Sequence, residues 1–235
     1  MGTISIEHGD RLFWLGRYSE RAFMTIRSLI RLLDKVIDKD KEHYVKYLEC
    51  FGLPDTYGSG AEFFNSFVFD ISNSNSIAFS LERAYDNGIV LREEISTEAL
   101  AFLQLAMDRL SAAKSDFSSL AVSLLPVEDT LFSFFGCIHE YVYDEEIKNI
   151  ILCGKDVERL SLLIRLKFKP EFIEKEYDRL CTALGRIPAN TPYRYNQAQL
   201  TELGGLIGKG DGCHSSVAQA LTALGKMFDK EAKSL

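Results

Sequence analysis

A chain of 235 residues with 46% hydrophobic and 26% charged residues has the size and balance of a globular protein with a sizeable core. Its net charge of −7 argues against non-specific binding of nucleic acid, which needs a basic surface. No charge-free run reaches the roughly 18 residues of a membrane span, and the opening residues carry Glu7, His8 and Asp10 instead of a signal-peptide pattern. A soluble, cytoplasmic protein without membrane contact is expected.

The five prolines, Pro54, Pro126, Pro170, Pro188 and Pro192, lie far apart, so long segments run without a breaker and favour helices. From Gly9 to about Asp38, apolar residues recur at helical spacing: Leu12, Phe13, Phe23, Ile26, Ile30, Leu33 and Ile37. A short helix follows from about Lys41 to Phe51, stopped by Gly52-Leu53-Pro54-Asp55. Ala61 to Phe69 is read as helix. The polar run Asp70 to Ser76 offers several N-caps for a helix starting at Ser74 or Asn75 and reaching about Glu94. Ser96 or Thr97 caps the next, which reaches about Lys114.

Residues 117–125 are expected to form a helix that Pro126 ends, with Glu128, Asp129 and Thr130 opening another through Tyr141. Asp144-Glu145-Glu146 makes an acidic first turn for a long helix, and Pro170 suits the first turn of its successor. Arg186 to Asn196 reads as loop, and a glycine-rich bend from Gly204 to Gly212 separates the last two helices. The fold class is therefore all-α. A multi-helix bundle forming one domain over 1–235 is expected, with a loop-linked C-terminal helical subregion over 187–235.

Two stretches match each other. Gly16-Arg17-Tyr18-Ser19-Glu20-Arg21 and Gly154-Lys155-Asp156-Val157-Glu158-Arg159 are followed at the same distance by Arg27 and Arg165. A repeated G-[KR]-x-x-E-R-x5-R string on two long helices suggests an internal pseudo-repeat. At about 100° per residue, Gly16, Glu20 and Arg27 share one edge of the apolar stripe, as do Gly154, Glu158 and Arg165, whereas Arg21 and Arg159 point away. A buried charge must be paired or hold a ligand. A glycine inside a helix costs about 1 kcal/mol against alanine, so Gly16 and Gly154 are expected at tight helix crossings.

The run Asp10-Arg11-Leu12-Phe13-Trp14-Leu15-Gly16-Arg17-Tyr18-Ser19-Glu20-Arg21-Ala22 resembles the opening motif of the bacterial alpha-E family. Asn75-Ser76-Ile77, continuing through Ala84-Tyr85-Asp86-Asn87 to Leu91–Glu98, and Gly154–Arg159 resemble two later blocks. The resemblance covers about two-thirds of the chain and is not followed beyond Phe168. It departs where members carry arginine in place of Tyr85 and Ile89 and tryptophan in place of Leu100. It implies an all-helical protein found beside ATP-grasp ligase-like and transglutaminase-like proteins, in a family of unsettled role.

Other chemistries fare worse. No C-x-x-C pair joins Cys50, Cys137, Cys153, Cys181 and Cys213, which are expected as free, mostly buried thiols. A di-iron bundle needs Glu-x-x-His, and none occurs among His8, His43, His139 and His214; no metal or cofactor is expected. Gly204–Gly210 lacks the spacing of a phosphate-binding loop. The leading expectation is a non-enzymatic helical partner of an ATP-grasp-like or transglutaminase-like protein. Arg17, Arg27, Arg92 and Arg165 would hold carboxylates of a peptide or small ligand by forked hydrogen bonds, with Glu20 and Glu158 orienting them or capturing an amine. The alternative is a helical enzyme using Glu20 or Glu158 as general base in amide chemistry. Oligomeric state is not legible.

Overall fold

Helix starts follow the capping residues. In the computed structural model, which describes residues 4–38, 42–113, 119–188 and 194–228, Ser59, Ser76, Ser96, Asp144 and Asn196 each accept hydrogen bonds from the first-turn N–H groups of the helix they open. Ten α-helices and no strand occur among the described residues: α1 (Ile6–Asp38), α2 (Glu42–Phe51), α3 (Gly60–Phe69), α4 (Ile77–Val90), α5 (Thr97–Ala112), α6 (Leu120–Tyr141), α7 (Glu145–Arg165), α8 (Pro170–Leu184), α9 (Gln197–Ile207) and α10 (Val217–Gly225).

The helix boundaries differ from those the sequence predicts at α4 and at α6. The α4 helix stops at Val90, because Glu94 and Ile95 donate to the Leu91 carbonyl in a turn that ends at the Ser96 cap. The expected end of α5 near Lys114 and the middle of the loop at 189–193 lie outside the described residues. Pro126 does not end a helix but sits inside α6. Its missing N–H removes a donor to the Val122 carbonyl. Its own carbonyl accepts from the Thr130 hydroxyl at 2.7 Å and from Arg109 of α5 at 2.7 Å. A buried stripe of Leu120, Leu124, Val127, Leu131, Phe134 and Ile138 carries the helix past the proline. By length and composition α6 could cross a membrane, which the charge-free criterion missed because Glu128 and Asp129 interrupt it.

The chain divides into two compact units, one up to Arg17 and from Asp144 onward, the other Tyr18–Tyr143. In the first, α7 packs on α8 and α10, and α9 packs on α8 and α10. The Asn196 N–H donates to the Met227 carbonyl at 2.8 Å, and the Tyr177 hydroxyl to the Leu200 carbonyl at 3.1 Å. Positive φ angles at Gly210 and Gly212 (78° and 62°) turn the chain between α9 and α10. In the second unit α3, α4, α5 and α6 pack in sequence. Tyr44, Tyr47, Phe63 and Phe67 pack their rings together between α2 and α3.

Candidate functional site

The α7 helix is the core of its unit. From Asn149 to Ile164 every residue is buried except Lys155 and Arg159. A helix enclosed on most sides has no solvent face for its charges, so each needs a protein partner. Glu158, with 4% of its side chain exposed, has one: both Nε and one terminal nitrogen of Arg17 reach its Oε2, at 2.8 and 2.7 Å. The Arg17 guanidinium also lies 4.6 Å over the Trp14 ring and 5.8 Å from the Phe13 ring centroid, a favourable place for a cation.

Two glycines bring these side chains within reach. A Cβ on Gly16 would overlap the Ile151 carbonyl oxygen and lie 3.0 Å from the Lys155 nitrogen. A Cβ on Gly154 would overlap the Phe13 carbonyl oxygen and lie 3.2 Å from the Arg17 nitrogen. The contacts are reciprocal. Each glycine rests on the residue three before and the residue one after the other glycine, so the two backbones meet at a crossing with no side chain between them.

Arg159 was expected to point away from the buried face, yet its side chain is 19% exposed and its guanidinium lies 4.0 Å from Glu176 of α8. Glu176 is buried and also accepts from Arg179 at 3.1 Å through the same oxygen; its other oxygen has no hydrogen-bond partner among the described residues. The two halves of the Glu158-Arg159 dipeptide thus tie α7 to different neighbours, α1 and α8.

Of the six residues named from the sequence, Arg17 and Glu158 come together. Glu20 is fully buried on α1. Arg27 lies 3.5 Å from Glu128 of α6 and over the Phe23 ring at 5.5 Å, so its ion pair is made across helices instead of along its own. Arg92 is largely exposed in the turn after α4, 3.2 Å from Glu93. Arg165 is half-buried in the last turn of α7. Sequence reasoning missed Glu176, although a carboxylate between Ile173 and Leu180 on an apolar stripe was a readable signal. It also missed a third Glu-Arg dipeptide, Glu82-Arg83 on α4. Arg83 bonds Glu82 at 2.7 Å, pairs with Asp86 at 3.3 Å and lies over Phe79, whose ring packs on Tyr18.

All five cysteines are free thiols. Burial pushes the Cys153 thiol well above its ordinary range, with Asp156 adding to the effect; Cys137 and Cys213 are also pushed up chiefly by burial. His214 places Nε2 3.0 Å from the Phe168 carbonyl, and Cys213 beside it takes a left-handed φ of 62° in a turn. Among the described residues no three His, Cys, Asp or Glu side chains are grouped to hold a metal ion.

No match is found among curated proteins or among solved structures. The Alpha-E family model, described as a predicted alpha-helical domain with a conserved ER motif, matches residues 8–202. That span runs past Phe168, where the resemblance read from the motifs stopped, and it includes all three Glu-Arg dipeptides. With so much of its length matched, and with helices throughout its described residues, the chain belongs to the Alpha-E family.

Proposed function

We propose that this Alpha-E protein is a non-enzymatic helical partner, acting in the bacterial cytoplasm with an ATP-grasp-like or transglutaminase-like protein that modifies a peptide or small metabolite. The observation that carries this reading is the engagement of Glu158. Its carboxylate accepts two N–H groups from Arg17 at a crossing where two backbones touch. A general base needs a free lone pair within reach of substrate, and this carboxylate has neither room nor vacancy on Oε2. Largely exposed Arg92 and part-exposed Arg27 are better placed to offer forked donors to carboxylates of a bound peptide.

The reciprocal glycine contacts also support reading α1 and α7 as two copies of one ancestral helix, since each copy uses the same register to receive the other.

The test is co-purification of the tagged chain from its own cells, with an assay of amide-bond formation and hydrolysis by the chain alone. A complex with an ATP-grasp-like or transglutaminase-like protein, weakened by Arg92→Ala and Arg27→Ala, is expected. Turnover by the isolated chain that Glu158→Gln abolishes, with the helical circular dichroism spectrum intact, would overturn the reading.

A further inference from the structure

The α6 helix has a second apolar face besides the one buried in its unit. Val122, Leu125 and Phe132 are 69%, 47% and 56% exposed. With Asp129 and Gly136 they form the series 122, 125, 129, 132, 136, spaced alternately by three and four residues. That is the spacing of a coiled-coil seam, which faces a second helix along its length. Exposed apolar patches of this kind mark interaction surfaces.

Gly136 adds an independent observation. Glycine inside a helix is destabilising relative to alanine. At Gly16 and Gly154 the opposing backbone explains it. At Gly136 a Cβ would meet nothing within 4 Å, so no neighbour among the described residues requires the glycine, whereas a helix approaching closely from outside would.

Asp129 decides the occupant. It stands at the centre of the seam, seven residues from Val122 and seven from Gly136. Two copies paired with two-fold symmetry along this seam, parallel or antiparallel, would set Asp129 against Asp129, and like charges at an interface are unfavourable. A lipid surface would take the same carboxylate out of water. A different helix with Lys or Arg opposite Asp129 meets all three requirements.

We propose that the outer face of α6 docks an amphipathic helix of another protein. Its apolar side chains would lie among Val122, Leu125 and Phe132, a Lys or Arg would meet Asp129, and its backbone would come close at Gly136. The seam stands whether or not that protein is of the ATP-grasp or transglutaminase type.

The experiment installs a photo-cross-linking phenylalanine at Val122 or Leu125 of the full chain in its own cells, with exposed Phe172 of α8 as the control position. Both seam positions should give adducts that map to one helical segment of one other protein, with a Lys or Arg in its contact face. Asp129→Lys should reduce the yield about tenfold or more, and the reciprocal Lys→Asp in the partner should restore it. Gly136→Ala should raise the melting temperature of the free chain while lowering the yield. Adducts only between copies of this chain, adducts only to lipid, a yield no higher than at Phe172, or one indifferent to Asp129→Lys would each overturn the proposal.

Discussion

Gly16 and Gly136 have the same residue type in the same kind of element and opposite expected responses to one added methyl group. At Gly16, and at Gly154 opposite, the methyl meets a backbone carbonyl that cannot swing aside. Alanine at either position should destabilise the fold by about 1–3 kcal/mol, which outweighs a helix-propensity gain of at most about 1 kcal/mol. Alanine at Gly136, or at Gly205 of α9, which also has open space around it, should stabilise by about 0.5–1 kcal/mol. Denaturant midpoints of the four variants check both signs. The Arg17–Glu158 pair gives a second prediction at this scale. Removing one partner strands a buried charge, so Arg17→Met or Glu158→Leu alone should cost about 3 kcal/mol. The double variant should cost much less than the sum, and a double-mutant cycle measures the difference. The two glycines at the crossing were legible, because a glycine inside an apolar helical pattern asks for a close neighbour. The partner of Glu158 was not. A helix wheel ranks residues on one helix only, so it set Arg165 beside Glu158, while the nearest guanidinium comes from a residue 141 positions away in sequence.

Among the elements, α7 and α6 show where periodicity stops informing. The α7 helix is buried around nearly its whole circumference, so its wheel has no solvent side against which to orient Arg159, and the approach of α8 was invisible. In α6 the proline rule was overridden by packing, since a buried stripe on both sides of Pro126 holds one axis. Pro126→Ala restores an N–H that can donate to the Val122 carbonyl and should therefore stabilise the helix, by less than the roughly 3 kcal/mol that proline costs an isolated helix interior, because the buried stripe already holds α6 together through the proline. Thermal unfolding reads the sign. Cys153 reports on the neighbouring crossing. Buried next to Gly154 and held as a thiol, it should resist alkylation at neutral pH in the native chain. It should become reactive in Gly16→Ala, as mass spectrometry of the modified peptide would show.

For the whole molecule, the all-helical class was legible from well-spaced prolines and capped apolar runs. The division into two units was not, because it is set by which distant segments meet and runs through the middle of α1. Stability against pH follows groups in both units. Hydrogen bonds from Ser72 hold Asp70 below its ordinary 3.8, and hydrogen bonds from Ser215 do the same for Asp211; the hydrogen-bonded Lys148 lowers Glu145. Carboxyls lowered by folding contribute stability that is present above their ordinary values and lost as pH falls through the depressed ones. At the other extreme, burial pushes Tyr177 from 10.0 up to about 12. Its contribution should be complete below pH 10 and disappear as pH rises through about 12, which melting temperatures and tyrosinate absorbance across that range would follow. The discontinuity of the first unit also bears on how the molecule is made. Residues 18–143 leave the ribosome before any part of α7, and at about 5–20 residues per second several seconds pass between the synthesis of Phe13 and that of Gly154. Through that interval Phe13, whose ring packs on that of Phe228 in the finished protein, lacks that cover. A nascent chain stalled once residue 143 has cleared the exit tunnel should therefore expose the second unit without α7 and an apolar leading end, a natural client for a chaperone that grips apolar segments.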